Sequence, residues 1–202
     1  MNHSCKILFS DIGGVLLSNG WGHESRMAAA KKFGIDYAEM DILHDFIFNV
    51  WEIGKISIDD YLDTVIFKEK RKFSRKAFKE FMLQQSVQLP DMLPWMIKWK
   101  NRHENIKVIS INNEPQELNR HRIEKFKLHD LFDAFISSCE VGMRKPDPGI
   151  FLLALGIAQA KPEECIYFDD RIMLVEAARK VGIRAYLHTD FESTRKIIEA
   201  IP

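Results

Sequence analysis

Five apolar runs of strand length, most of them broken off by polar residues, dictate much of what this chain can become. They fall at Lys6 to Ser10, Lys107 to Ile111, Ala134 to Ser137, Ile166 to Phe168 and Arg184 to Leu187. Segments of helical period separate the last four and predict helices over about Glu117 to Phe126, Pro148 to Leu155, Ile172 to Val181 and Ser193 to Ala200. Gly156 and Gly182 read as C-terminal stops. Strand alternating with helix is the pattern of an α/β protein, a parallel sheet covered by crossover helices.

Roughly ninety residues lie between the first run and the second, far more than a crossover needs. Helical patterning at Ser25 to Phe33 and Ile58 to Phe67 makes this stretch an inserted helical unit, with Gly54 between two of its helices. The expected division is residues 1-17 and 91-202 as the core and 18-90 as the insert. Trp51, Phe46, Phe48, Tyr61 and Phe67 are expected to form the insert's own core. The basic stretch Lys68 to Lys79 alternates its charges with Phe73, Ala77 and Phe78 at helical spacing, which fits a solvated helix face.

Composition narrows the function classes. Lys plus Arg number 29 and Asp plus Glu number 29, so no overall basic field exists to hold nucleic acid or an anionic membrane, and an anion site has to be local. Cys5, Cys139 and Cys165 are odd in number and lack metal-ligand spacing, so they read as reduced core residues. The stretch Ile7 to Leu17 is interrupted by Asp11 and two glycines, too short and polar for a membrane span or a secretory segment. The expected location is cytoplasmic.

Four polar clusters follow predicted strands: Asp11 with Gly13 and Gly14, then Asn112 and Asn113, then Arg144, Lys145 and Pro146, then Asp169 and Asp170. In a parallel sheet, strand ends that precede crossover helices share one edge, so the clusters are expected to meet across one crevice. Taken singly, most have ordinary explanations: turn residues, helix caps, a surface lysine. The adjacent carboxylates Asp169 and Asp170 differ, because two negative charges in a semi-enclosed place repel unless a hard cation such as magnesium lies between them. Together the clusters supply a carboxylate nucleophile, carboxylates for a metal, a lysine for an anion, and amides for oxygen atoms. That is an inventory for phosphoryl transfer.

The same four places, in order, resemble the four motifs of the haloacid dehalogenase superfamily. "ILFSDIGGVLL" is similar to the first motif, "KVISINNEP" to the second, "EVGMRKPDPGIF" to the third and "CIYFDDRIMLVEAARKVGI" to the fourth. The resemblance implies a Rossmann-like three-layer core, an inserted helical cap of the type-one kind, a bound Mg2+ and a small phosphorylated metabolite as substrate. It makes Asp11 the nucleophile that becomes an aspartyl phosphate and pairs Lys145 with both Asp11 and the phosphate. Asp170 would ligate the metal directly and Asp169 through water. Asp11 and the Gly13 carbonyl would be further ligands, and Asn112 and Asn113 would hold the phosphate.

Three positions depart from that pattern. Gly13 stands where most phosphatases of the family carry a second Asp, the general acid and base, a group worth roughly 10²–10⁴ in rate. A branch that resembles sugar-1-phosphate phosphatases also has Gly here. Asn112 replaces a Ser or Thr, and Leu174 replaces an Asn that supports the acidic pair. His23 or Glu24, a short loop beyond the first motif, would be the substitute acid or base from the cap side. The leading expectation is a magnesium-dependent phosphatase. The alternatives are a phosphoester-binding protein with little or no turnover, motivated by Gly13 and Asn112, and a haloacid-type dehalogenase, which the acidic pair disfavours.

Overall fold

The computed structural model describes residues 5–201. Its strands are β1 (Ile7–Ser10), β2 (Lys107–Asn112), β3 (Ala134–Ser137), β4 (Cys165–Asp169) and β5 (Arg184–Leu187). They form one sheet in the order β3-β2-β1-β4-β5, with every pairing parallel. Ten α-helices accompany them. Between β1 and β2 run α1 (His23–Phe33), α2 (Tyr37–Glu52), α3 (Ile58–Val65), α4 (Arg75–Gln84) and α5 (Met92–Lys100). Beyond β2 come α6 (Gln116–Lys125), α7 (Ser138–Val141), α8 (Pro148–Ala158), α9 (Ile172–Lys180) and α10 (Phe191–Glu199).

Strand side chains alternate between the two faces of the sheet. On one face Leu8, Val108, Ile166 and Phe168 pack against Met92, Met96 and Trp99 of α5 and Ile198 of α10. On the other, Ile7, Phe9, Ile109, Ile111 and Tyr167 pack against Ile150 and Phe151 of α8 and Val175 of α9. Both faces of the central strands are apolar because both are covered, which yields a three-layer α/β sandwich of Rossmann-like type. β1 is the middle strand, so its carboxyl end is flanked on both sides.

The helices α1 to α4 have a core of their own, built on Trp21, Ala29, Met40, Trp51, Tyr61, Leu62, Phe78 and Met82 and closed by Leu118 from α6. Trp51 stacks on Tyr61, with ring centroids 4.0 Å apart. The Trp21 indole donates to the Tyr61 hydroxyl at 2.8 Å, and that hydroxyl lies 2.8 Å from Nδ1 of His44. Local signals start these helices: Asp36 caps α2 through the Glu39 amide, and Ser57 and Asp60 form a reciprocal capping box at α3.

Four expectations are corrected. Phe46 does not join the insert core: it sits on the outer face of α2, 81% exposed. α8 runs through Gly156 to Ala158 and ends where Gln159 turns left-handed at φ 50°, because a lone Gly inside an apolar helix lowers its propensity without terminating it. α2 supplies the helix expected before Gly54, whereas α5, whose Pro94 sits in the first turn where its missing N–H costs little, is a helix the periodicity alone did not predict. Cys139 is half-buried, whereas Cys5 and Cys165 are buried as expected; all three are unpaired thiols. Gly182, at φ 89°, does stop α9. Among the described residues no helix is long and apolar enough to cross a membrane.

Candidate active site

The register of β1 between β2 and β4 decides what meets at the carboxyl edge of the sheet. Ser10 pairs with Ser110 and Phe168, so Asp11 leaves the sheet level with Ile111 and Asp169. Its amide still donates to the Phe168 carbonyl, which fixes the backbone before the chain turns. The Asp11 side chain curls back so that Oδ1 accepts from the Ile12 amide at 2.8 Å, and the Lys145 ammonium lies 3.2 Å from the same oxygen. Among the described residues no hydrogen bond engages Asp11 Oδ2.

Lys145 is the electrostatic centre. Only 1% exposed, it contacts Asp169 Oδ2 at 2.7 Å, Asp11 Oδ1, and the Tyr167 hydroxyl at 2.9 Å. Burial pulls the pKa of this lysine down, yet the two carboxylates more than reverse it, and the net direction is upward. Removal from water also pushes Asp11 up, to about 6, against the pull of Lys145 and with help from Asp169 and Asp170. Asn113 holds the lysine in place: its side-chain amide donates to the Lys145 carbonyl at 2.9 Å and its Oδ1 accepts from the Lys145 amide at 2.8 Å.

The acidic pair at the end of β4 divides into two environments. Both oxygens of Asp169 are engaged, Oδ2 by Lys145 and Tyr167 and Oδ1 by the Arg171 amide. Asp170 keeps Oδ1 buried without a hydrogen-bond partner, and burial followed by the neighbouring Asp169 raises its pKa. Carboxylate oxygens of Asp11, Asp169 and Asp170 lie within 4.8 Å of one another. Such an all-oxygen set suits a hard divalent cation. Gly14 makes the cluster possible. At φ +69° it presses so close to Asp170 that a Cβ there would lie 2.0 Å from Oδ2.

A cavity of about 300 Å³ opens in front of Asp11, Gly13, Lys145 and Asn113. Its far wall comes from the inserted helices and is both aromatic and polar: Trp21, Phe48 and Trp51 beside Arg26, Asp45 and Glu52. His23 lies on its rim with Nδ1 2.6 Å from the Tyr37 hydroxyl, whereas Glu24 is exposed and does not line it. Asn112 does not line it either. It is buried behind the sheet edge, where its amide donates to Asn119 at 3.0 Å and its Oδ1 accepts from Ser137 at 2.9 Å. Leu174 lines the wall where a polar residue would otherwise support the carboxylates.

Six charged lining residues were not singled out from the sequence: Arg26, Asp45, Glu52, Glu114, Arg122 and Arg171. Arg122 sits within the polar helix α6 and reads as a surface charge. It is instead 2% exposed, ion-paired with Glu114 and bonded to the Ser18 carbonyl at 2.7 Å. The available signal was Glu114, a charged residue in the short loop between β2 and α6, at the strand edge where the other polar clusters fall. A Cβ at Gly13 would meet Asn19 Oδ1 at 3.0 Å, so the Asn19 side chain would have to give by a few tenths of an ångström, while Arg122 at 3.8 Å is at ordinary contact distance.

The central strand of a parallel sheet thus delivers a buried carboxylate to a lysine and a second acidic pair, an arrangement within the class of hydrolases, α/β in fold, that the family comparison identifies. A family model for haloacid dehalogenase-like hydrolases matches residues 5–182, and the chain belongs to that family. It is 27% identical over 181 residues to a phosphorylated carbohydrates phosphatase of Thermotoga maritima, covering 86% of this chain and 80% of that one. It is 34% identical over 98 residues to a phosphatase of Mycobacterium tuberculosis, covering 48% and 45% respectively. The matched stretch spans only 14% of the bifunctional epoxide hydrolase 2 of Sus scrofa, which is 35% identical over 75 residues. Among solved structures, a HAD family enzyme of Bacteroides thetaiotaomicron in complex with magnesium and inorganic phosphate superposes with a TM-score of 0.79 at 25% identity. That superposition covers 94% of this chain and 98% of the other.

Proposed function

We propose that the protein is a magnesium-dependent phosphatase that cleaves a small phosphomonoester through an aspartyl phosphate on Asp11. One observation carries the reading: a fully buried lysine joins Asp11, which lines the cavity, to Asp169 behind it, while Asp170 keeps a buried oxygen with no protein partner. Burying a lone carboxylate oxygen costs free energy that a cation would offset. Asp11, Asp170 and the Gly13 carbonyl would hold magnesium, with Asp169 reached through water. When bound, the ion supplies charge neutralisation for the phosphoryl oxygens.

The chain's own residues perform the remaining steps. Asp11 Oδ2, with Oδ1 tied to the Ile12 amide and Lys145, attacks phosphorus in line with the leaving oxygen. Lys145 neutralises charge on the nucleophile before attack and on the phosphoryl oxygens during it. Asn113 keeps the lysine's backbone in register, a positioning role. Asn112, which the family resemblance assigns to the phosphate, has its side chain turned away from the cavity onto Asn119 and Ser137 and takes a structural role instead. Residues 18-90 serve as the cap and residues 1-17 and 91-202 as the catalytic core.

The substrate is proposed to be a phosphorylated sugar, in particular a sugar 1-phosphate. Support comes from the small cavity, from its wall of indole faces interleaved with Arg26 and Asp45, and from the activity named for the Thermotoga maritima relative. The anomeric oxygen of such a substrate leaves more readily than a simple alkoxide, which suits the absence of an acid at Gly13. Its three unpaired thiols fit a reducing compartment, and we place the protein in the cytoplasm.

A second reading, a phosphoester-binding protein without turnover, draws on Gly13, which supplies no acid or base beside Asp11, and on Asn112, whose side chain is engaged by Asn119 and Ser137 away from the cavity. Phosphate release from a panel of hexose phosphates and p-nitrophenyl phosphate, with and without magnesium, separates the two. Turnover that requires both magnesium and Asp11, and disappears in Asp11→Asn, is the expected result. Binding of magnesium and ester with no phosphate released would establish the second reading, and halide release without metal would establish a dehalogenase.

A further inference from the structure

We propose that Glu52, at the end of α2, is the general acid and base of the reaction, delivered from the inserted helices in place of the side chain missing at Gly13. The inference rests on the phosphatase reading above and deepens it by assigning the proton.

Position is the first argument. Glu52 lines the same cavity as Asp11 and Lys145 but from the opposite wall, where a leaving group would lie. It is the last residue of α2, and this end of the helix is fastened to the core. The Glu52 carbonyl accepts from Ser138 Oγ at 2.6 Å, and two residues on, Gly54 presses so closely on Cys139 that a Cβ would lie 2.3 Å from its carbonyl. The carboxyl is therefore held at the junction between insert and core, rather than swinging with the exposed outer face of α2.

Its bonding state is the second. Glu52 is 4% exposed, and Oε2 has no hydrogen-bond partner. Arg144 Nε lies 2.5 Å from that oxygen, an ion pair whose N–H points off the line to Oε2, and its pull towards the charged form is outweighed by burial. Facing the carboxyl are Arg144 from the loop that carries Lys145, Glu114 beyond β2, and Arg171 beyond β4. Cys139 of α7, below Gly54, keeps its thiol proton because burial pushes it up to about 12. Burial, opposed by Arg144 and reinforced by Glu114, lifts Glu52 to about 7, so both of its protonation states are accessible at neutral pH.

The other acids and bases of the cavity are less suited. Glu114 is committed to Arg122. His44 is buried beside Tyr61 and burial pushes its pKa down to about 3, so it carries no proton to donate from a cationic form near neutrality. Asp45 is exposed and His23 stands at the rim.

The step balances without any further reactant. Asp11 Oδ2 forms a bond to phosphorus as the bond to the ester oxygen breaks, and the Glu52 proton passes to that oxygen to give a neutral alcohol. The Glu52 carboxylate then takes a proton from water as the water oxygen attacks phosphorus. Asp11 leaves as a carboxylate, inorganic phosphate is released, and Glu52 is protonated again.

The test compares kcat/KM for an alkyl phosphate, whose leaving oxygen needs a proton, with that for p-nitrophenyl phosphate, whose leaving oxygen does not. The ratio is taken within one sample and is independent of how much of a variant folds. In Glu52→Gln we expect the alkyl-to-aryl ratio to fall by about 10²–10⁴, with loss of the pH dependence that the natural chain adds near 7. A burst of p-nitrophenol should also appear as water attack on the aspartyl phosphate slows. Glu52→Asp, which keeps the acid but withdraws it by one methylene, should lower the ratio in the same direction, and His23→Ala should leave it unchanged. An unchanged ratio in Glu52→Gln, or a collapse in His23→Ala instead, overturns the proposal. If the natural chain shows turnover dependent on Asp11 and magnesium while Glu52→Gln keeps the natural alkyl-to-aryl ratio, Glu52 alone is refuted. If the natural chain shows no turnover at all, the phosphatase reading falls with it.

Discussion

Substitution of Gly14 by Ala isolates the acidic cluster from the stability of the fold. Gly14 has φ +69°, and a Cβ there would stand 2.0 Å from Asp170 Oδ2 and 2.2 Å from its Cγ. The carboxylate must retreat by about 1 Å before the contact reaches even 3.0 Å, the lower limit of real Cβ approaches. Gly34, at the end of α1, offers the matched control: its φ is +65° and nothing lies within 4 Å of its Cβ position. Both variants share the cost of a left-handed alanine, about 1–2 kcal/mol. For a chain of this length that corresponds to a fall in Tm of roughly 2–8 °C. Only Gly14→Ala displaces a carboxylate proposed to bind magnesium, and disturbances of that order lower metal affinity about 10- to 100-fold. Calorimetric titration with magnesium, alongside thermal unfolding with and without the ion, tests the difference. Gly34→Ala should bind magnesium as the natural chain does and show the same metal-dependent rise in Tm, while Gly14→Ala should lose most of both. Natural affinity in Gly14→Ala would refute the assignment of Asp170 as a direct ligand.

Other perturbations have equally definite outcomes. Lys145→Met leaves Asp11 and Asp169 buried without their shared cation and should cost roughly 3–5 kcal/mol by denaturant unfolding, with part of the loss restored by magnesium; no loss would show that the carboxylates are already neutral. Asn112→Ala removes partners from Asn119 and Ser137 and should destabilise by about 1–3 kcal/mol while leaving magnesium affinity unchanged, measured by the same two assays. Burial holds His44 down at about 3, far below the unfolded value of about 6.5, so the native state binds the fewer protons. Its stabilising contribution is complete above about pH 6.5 and drains as pH falls towards 3. His44→Gln, followed by unfolding at pH 7 and pH 4, should narrow the gap in stability between those two conditions, and an equal gap would refute the linkage.

The sheet was legible because its signals are local. β3 and β5 fall where their apolar runs predict, and the polar clusters that interrupt the runs come to one edge because parallel order forces them there. Asp11, Asn113, Lys145, Asp169 and Asp170 could thus be named from spacing. The opposite wall of the cavity could not. Trp21, Glu52 and Arg122 reach it from three elements whose mutual packing is set by tertiary contacts, and each is indistinguishable in sequence from a core aromatic or a surface charge. Asn112 shows the same limit in reverse: its position at a strand end is right, but whether its side chain faces the cleft or the interior depends on Ser137 and Asn119, contributed by β3 and α6. Phe46 was misplaced because aromaticity predicts burial on average and says nothing about which side of α2 faces the neighbouring helices.

The central position of β1 has a consequence for synthesis on the ribosome. Its partners are β2, which begins about a hundred residues later, and β4, some fifty residues beyond that. At about 5–20 residues per second, β1 waits several seconds or more for its first hydrogen-bonded neighbour, with an apolar edge open to other chains. The helices that intervene have a core of their own with which to collapse during that interval. Ninety residues placed inside the first crossover thereby leave the earliest strand the longest wait for a partner, and make nascent β1 a segment for a holding chaperone to cover.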